Sequence, residues 1–252
     1  SIQTEKSFDL TSITSQIYIA LKNKSFLIFF FGYLFIAVSW GLNSSLQLYM
    51  NTYFWEFKSI MIASFLGIYA LSTFTAFLLV PRLVLYIEKR SILLIAIAFA
   101  ALIPPIPIIL YLNDLLPDSG SWDLFYALAP FIYLGNTCLS SSAIVRESML
   151  GDISDEVELE SKIGQQGLMY ASSSLIGKLN TGLGILVAGL ALEFIGFPQG
   201  SEVLPNADQV FSLAMVQGPF VAVLMIIPFG IFSFYSIDRQ KHQKIASQLE
   251  VR

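Results

Sequence analysis

Six long apolar stretches constrain the fold of this chain more than any other feature. Each exceeds the ~20 residues that an α-helix needs to cross ~30 Å of hydrocarbon. The chain is 55% hydrophobic and only 13% charged, whereas soluble domains carry about 25% charged residues. We therefore predict an all-α polytopic membrane protein with six transmembrane helices in the lipid bilayer. The predicted spans are 25–53, 60–86, 91–112, 123–149, 164–197 and 208–237.

Two polar segments flank the predicted spans. Residues 1–24 form a predicted cytoplasmic linker, in which Asp9 can cap a short amphipathic helix on the membrane surface. The same periodicity also fits a soluble linker helix. Residues 238–252 form a predicted cytoplasmic tail. Because the chain starts at Ser1 with no initiator methionine and no signal peptide, we expect a piece of a longer protein, although a processed start would look the same.

The lysines and arginines predict the orientation in the membrane. Twelve of the fourteen fall on the side that holds the amino terminus, whereas Lys58 lies on the opposite side and Lys178 within the membrane. By the positive-inside rule the side with twelve is cytoplasmic. An even number of spans independently returns the chain to the side on which it began. We expect an integral, multi-pass protein of a bacterial inner membrane with both termini cytoplasmic.

The chain offers few residues for catalysis or metal binding. Its single cysteine, Cys138, excludes an intrachain disulfide, and its single histidine, His242, lies in the polar tail. No buried histidine, aspartate pair or Cys–His arrangement supplies a nucleophile or a base. The net charge of -4, without a basic cluster, gives no indication of a nucleic-acid partner. We expect no enzyme activity and no resident metal or cofactor.

A lysine near the middle of the fifth span is the strongest functional signal. A charge at that depth costs about 2.5–3.5 kcal/mol on insertion scales, so a functional role is the first hypothesis. On a helix this lysine shares one face with three other polar residues, which together form a polar stripe: Tyr170, Ser174, Lys178 and Thr181. Beyond the lysine, three glycines predict the close approach of another helix: Gly182, Gly184 and Gly189.

The counter-ion of Lys178 is predicted to come from outside the chain. The lysine stem of about 6 Å is too short to reach water across ~20 Å of helix. Glu193 lies fifteen positions further along the same helix, more than ~20 Å away, and no other span has an acidic residue at its centre. We expect a second six-helix half, or another membrane subunit, to supply a carboxylate.

Amides on two other spans are further candidates for a binding site. Asn43 and Gln47 lie one turn apart on the first span, and Asn136 lies on the fourth. Amides suit hydrogen bonds to a small-molecule substrate. They also join neighbouring helices, with an average gain of only ~0.6 kcal/mol each. Both interpretations remain open from the sequence.

Three carboxylates follow the fourth span at intervals of three residues, which are Asp152, Asp155 and Glu158. Such a run is commonly a solvated helix face. With Lys178 following Asp155 by twenty-three positions, however, the pattern resembles the D-x-x-D-x-x-E inner loop and following lysine of the glycoside-pentoside-hexuronide:cation symporters. These are the relatives of melibiose permease within the major facilitator superfamily. The preceding Ser148-Met149-Leu150 also fits that family.

The resemblance implies that the six spans form the C-terminal half-bundle of a twelve-helix transporter. In that family the corresponding lysine faces the central cavity and meets carboxylates of the N-terminal half, where the coupling sodium ion or proton binds. Ser173 and Ser174 fall where the family carries sugar-facing residues, and the three carboxylates belong to an inner-loop gate. Gln165 and Gln166 replace a charged pair that is common in the family.

Two functions follow from these expectations. The first is the C-terminal half of a cation-coupled symporter for a sugar or another small polar or amphiphilic solute, working by alternating access. The second is a non-transporting membrane scaffold or assembly subunit with a half-transporter fold. An intramembrane enzyme is the poorest of the candidate classes.

Overall fold

The computed structural model describes residues 18–162, 164–198 and 203–250, without the side chain of Thr181. Within these ranges every regular element is helical, and six helices are long and apolar enough to cross a membrane. The all-α polytopic fold is thus confirmed. Most of the predicted surface helix, including Asp9, lies outside the described residues. The six candidate spans are Lys24–Phe54, Ser59–Tyr86, Lys89–Leu112, Trp122–Ser161, Gln166–Phe194 and Ala207–Phe232.

Ten α-helices and two π-helical turns make up these spans and the segment that follows them in the described part of the chain. The first span is α1, Lys24–Tyr49, extended by the π turn Met50–Phe54, and the second is α2, Ser59–Tyr86. The third comprises α3, Lys89–Leu102, and α4, Pro105–Leu112. The fourth is α5, Trp122–Ser161, and the fifth is α6, Gln166–Phe194. The sixth comprises α7, Ala207–Met215, the π turn Val216–Phe220, α8, Val221–Leu224, and α9, Ile226–Phe232; α10, Arg239–Glu250, follows it.

Prolines interrupt the third and sixth spans. Helix α3 ends at Leu102 and α4 begins at Pro105, within the proline cluster formed by Pro104, Pro105 and Pro107. Proline has no amide hydrogen and its ring clashes with the preceding turn, so a regular helix cannot pass through the cluster. In the sixth span, Pro219 lies in the π turn and Pro228 lies in α9.

Helix α5 is longer than predicted and includes the acidic residues that the sequence placed in an inner loop. Its 40 residues rise about 60 Å, twice the thickness of the hydrocarbon core, so its last turns project beyond the bilayer. The helix continues because Met149, Ile153 and Val157 repeat at steps of four and are fully buried. Asp152, Asp155 and Glu158, whose spacing predicted one helical face between the fourth and fifth spans, thus lie on a helix that continues to Ser161.

The bundle has two apolar clusters, one near each end. The charged end contains the first turns of α1 and α3, the last turns of α5, and α10, where Phe29, Ile153 and Phe232 are buried together. The loop end contains residues 55–58, 113–121 and 195–198, where Leu46 and Leu124 are buried. Helix α1 packs against α6 and α9, and α5 packs against α2 and α3. The predicted polar tail is mostly the helix α10.

Candidate functional site

Lys178 lies near the middle of α6 with its side chain exposed. Tyr170 and Ser174 are exposed on the same helix, as the polar stripe predicts. None of the described residues forms an ion pair with Lys178. The side chain of Thr181 lies outside the described part of the chain. We call Tyr170, Ser174 and Lys178 together the Lys178 face, and it is a surface that this bundle leaves uncovered.

Helix α6 is held against α1 by a glycine pair rather than by all three predicted glycines. A Cβ atom on Gly184 would lie 2.5 Å from the carbonyl carbon of Gly41, and one on Gly41 would lie 2.5 Å from the carbonyl oxygen of Asn180. The backbones meet there because neither residue has a side chain. Among the described residues, a Cβ atom added to Gly182 or Gly189 would have no neighbouring atom within 4 Å, so within this bundle the close contact occurs at Gly184, and contact at the other two stays a prediction.

Ser173, predicted to face a sugar, is buried and bonded to the protein. Its Oγ donates to Oε1 of Glu147 on α5, at 2.9 Å. Beside it, Arg146 is only 6% exposed; its guanidinium lies 4.5 Å from the ring centre of Tyr33 and donates to Ser142 Oγ at 3.0 Å. A cation over an aromatic face is favourable when desolvated. Neither Arg146 nor Glu147 was among the predicted site residues.

Asn43, Gln47 and Asn136 line a separate space, which we call the bundle cavity. It has a volume of about 140 Å³ and lies between α1, α2, α3, α4, α5 and the sixth span. No described residue of α6 contributes to its lining. The predicted site residues therefore fall in two places, the Lys178 face and the bundle cavity. The lining includes Trp40, Asn43, Gln47, Asn51, Phe65, Tyr69, Ala101, Leu128, Phe131, Asn136, Gln217 and Val221.

A chain of carboxamides forms one wall of the bundle cavity. Gln217 Nε2 donates to Gln47 Oε1 at 3.0 Å, and Gln47 Nε2 donates to Asn51 Oδ1 at 3.1 Å. Gln217 Nε2 also donates to the backbone carbonyl oxygen of Asn43 at 3.2 Å, and Asn43 Nδ2 donates to the backbone carbonyl oxygen of Gln217 at 3.5 Å. These bonds join the sixth span to α1. Gln217 was not predicted from the sequence because it is a single polar residue in an apolar stretch, close to Pro219.

Asn136 joins α5 to α2 at the edge of the same cavity. Its Nδ2 donates to Ser72 Oγ at 2.5 Å, with the Tyr69 carbonyl oxygen and Thr73 Oγ1 both at 3.4 Å. These contacts favour the interhelical role that the sequence left open for this amide. The wall around Asn136 is therefore fixed by α2.

Ion pairs connect the acidic part of α5 with α3 and α10 at the charged end. Lys89 Nζ is 2.7 Å from Asp152 Oδ2, and Lys241 Nζ is 2.5 Å from Glu156 Oε1. His242 Nε2 lies 3.3 Å from Asp152 Oδ1 and 3.2 Å from Asp155 Oδ2. Of the three carboxylates predicted as a gate, Asp152 and Asp155 thus have partners within this chain. The third is half-buried in the last turn of α5.

Tyr235 is buried beneath these carboxylates. Burial raises the pKa of its hydroxyl far above the ordinary range, and the negative charges of Asp152 and Glu156 raise it further. The hydroxyl therefore stays protonated, and it has no hydrogen-bond partner in the described part of the chain. Across the described ranges, no group of three or more histidine, cysteine, aspartate or glutamate residues is arranged to hold a metal ion.

The chain thus combines an uncovered lysine in a membrane span with a partly open cavity between apolar helices. These features define a polytopic membrane protein with a place for small molecules, the class that includes secondary transporters. The family profile described as MFS/sugar transport protein matches residues 2–239. The chain belongs to this family of the major facilitator superfamily.

A curated relative supports the same assignment. An uncharacterized symporter of the cyanobacterium Synechocystis sp. is 28% identical over 141 residues. The match covers 54% of this chain and 25% of that protein, so it spans about a quarter of the relative's length. The chain therefore belongs to a family of membrane transporters and is similar to a symporter.

Proposed function

We propose that the chain is the C-terminal half of a cation-coupled symporter for a sugar or another small polar or amphiphilic solute. In such transporters two bundles alternate access to a site between them near the bilayer midplane. The family of sugar transporters and the symporter relative support the class of function. The fraction of the relative that is matched supports the proposal that further chain completes the protein.

The uncovered position of Lys178 is the observation on which this proposal rests most. An ammonium near the middle of a membrane span is costly when it faces lipid. None of the described residues neutralises it, and the Glu147 carboxylate accepts a hydrogen bond from Ser173 instead. We infer that an N-terminal six-helix half covers the Lys178 face and supplies a carboxylate. The coupling sodium ion or proton binds mainly to that half.

The charged end is the cytoplasmic end in this proposal, since most lysines and arginines lie there. The membrane is the bacterial inner membrane. Asp152, Asp155 and Glu158 would contribute to a gate that closes this end when the two halves rock together. Because Asp152 is already paired with Lys89, its part in the gate is to hold α3 against α5 within one half.

The test is substitution of Lys178 by glutamine in the full-length transporter. We expect cation-driven uptake to be lost while the protein still reaches the membrane, because glutamine keeps the length and polarity of the side chain but removes the charge. Uptake of a panel of radiolabelled sugars into vesicles would be measured with and without a sodium or proton gradient. Lys58→Gln, at an exposed lysine of the loop end, is the matched control.

The outcome of this test is decisive for Lys178. Cation-driven uptake that persists in Lys178→Gln at wild-type expression would overturn its assignment as the coupling residue. A wild-type protein that transports nothing under any gradient would instead favour the scaffold function.

A further inference from the structure

The bundle cavity is formed by residues of this half of the proposed transporter and is partly open at its mouth. Its lining comes from five of the six spans, and the described part of α6, which carries Lys178, contributes none of it. A ligand in the cavity would therefore contact helices that do not form the Lys178 face. The function of the bundle cavity is therefore a separate question from that of the Lys178 face.

The size of the bundle cavity matches a single small ring. Its volume is about 140 Å³, and an engineered apolar cavity of about 150 Å³ in another protein binds benzene. Phe65, Leu128, Phe131 and Val221 provide apolar walls. Sites for small molecules are mostly apolar, with a few polar groups that fix orientation. The bundle cavity has this composition.

The charges of the lining select a neutral ligand. No aspartate, glutamate, lysine, arginine or histidine of the described residues lines the bundle cavity. An ion that entered would lose its hydration without gaining an opposite charge, which is strongly unfavourable in a medium of low polarity.

The carboxamide wall retains unused hydrogen-bonding capacity. Within the described residues, nothing donates to Asn43 Oδ1 or to Gln217 Oε1, and nothing accepts from Asn51 Nδ2. Asn51 and Gln217 are only 4% and 6% exposed. Their unbonded amide atoms are nevertheless not fully buried, so these atoms remain accessible to hydrogen bonds from a ligand in the cavity.

The number of open groups indicates one or two hydroxyls on the ligand. A hydroxyl can both donate to an amide oxygen and accept from an amide nitrogen. A sugar carries several hydroxyls around its ring, and apolar walls would leave most of them without partners. A ring with a single hydroxyl can donate to one of the two amide oxygens and accept from Asn51 Nδ2, while its remaining surface lies against Phe65 and Leu128.

We propose that the bundle cavity is a binding site for a neutral, ring-sized amphiphile such as a phenol or a cyclic alcohol, separate from the Lys178 face. The hydroxyl donates to Gln217 Oε1 and accepts from Asn51 Nδ2, and the ring packs between α2, α3 and α5. Because Gln217 lies in the π turn of the sixth span, the bound molecule joins that turn to α1.

The test uses p-cresol with the purified full-length protein in lipid nanodiscs. We expect p-cresol to raise the thermal unfolding temperature, toluene to raise it less, and glucose to leave it unchanged. Ala101→Leu places three additional carbons in the cavity and should remove the p-cresol effect. Ala70→Leu makes the same change at an exposed alanine of α2 and should retain it. Gln217→Leu should reduce the p-cresol effect to the level of toluene.

A second measurement does not depend on the stability of any variant. Fluorine NMR of 4-fluorophenol should show line broadening in the presence of the wild-type protein that excess p-cresol reverses and excess glucose does not. An equal p-cresol effect in Ala101→Leu and wild type, or line broadening that p-cresol does not saturate, would show partition into lipid and overturn the proposal. Stabilisation by glucose in place of p-cresol would also overturn it, in favour of a sugar in the cavity.

Discussion

The glycine pair at the crossing of α1 and α6 makes a sharp prediction about packing. In Gly184→Ala the new Cβ atom would lie 2.5 Å from the carbonyl carbon of Gly41. Ordinary carbon contacts are about 3.5–4.0 Å long, so the two helices must separate locally by on the order of 1 Å. The atom in the way belongs to the backbone and cannot rotate aside. Overpacking of this kind costs about 1–3 kcal/mol.

Gly182→Ala is the matched control on the same helix. Among the described residues, a Cβ atom there meets no neighbour within 4 Å. Both substitutions gain the same helix propensity of about 0.8–1 kcal/mol, because alanine loses less backbone entropy than glycine. That gain cancels when the two variants are compared. The difference between them therefore reports the crossing alone, and we expect Gly184→Ala to be less stable by about 1–3 kcal/mol.

The assay is thermal unfolding of this 252-residue chain alone, in which Gly182 is exposed, carrying either substitution in the same detergent. At roughly 2–4 °C per kcal/mol for a chain of this size, Gly184→Ala should unfold roughly 2–12 °C below Gly182→Ala. Gly41→Ala should resemble Gly184→Ala, since its Cβ atom would lie 2.5 Å from the carbonyl oxygen of Asn180. Equal unfolding temperatures for Gly184→Ala and Gly182→Ala would refute the close crossing of α1 and α6.

Two further substitutions test other contacts. Asn206→Ala removes the capping box with Gln209, whose two hydrogen bonds are each 2.9 Å long. The change should cost about 1 kcal/mol of stability. Faster amide hydrogen exchange confined to the first turn of α7 would verify this prediction, and unchanged exchange would contradict it. Lys89→Met leaves the buried carboxylate of Asp152 without its ammonium group and should cost about 1.5–3 kcal/mol. Lys58→Met is its control, and equal unfolding temperatures would argue against the ion pair.

The spans and the Lys178 face could be predicted because their signals are local in the sequence. The length of an apolar run shows by itself whether a helix can cross the membrane. Residues at steps of three and four share a helix face regardless of which helix packs against them. The same reasoning could not decide which of Gly182, Gly184 and Gly189 meets another helix, because that depends on the rotation of α6 against α1. Only Gly184 of these three is in close contact.

Features that the sequence did not indicate depend on contacts between segments that are far apart in the sequence. The fourth span continues as a helix beyond residue 149 because Met149, Ile153 and Val157 are buried against other elements. Gln217 showed no periodic signal, and its role depends on hydrogen bonds to α1, 170 positions or more away.

The predicted site residues lie in two places, the Lys178 face and the bundle cavity, and the two places can therefore have different functions. The Lys178 face is uncovered in this chain, so its role in coupling depends on the half that lies opposite. The described lining of the bundle cavity includes no residue of α6, so we expect its ligand to bind whatever the state of that interface. In the proposed transporter, Lys178→Gln should therefore abolish coupled uptake and leave the thermal effect of p-cresol unchanged. A loss of both would place the cavity and the lysine in one site and would contradict the separation that the lining residues indicate.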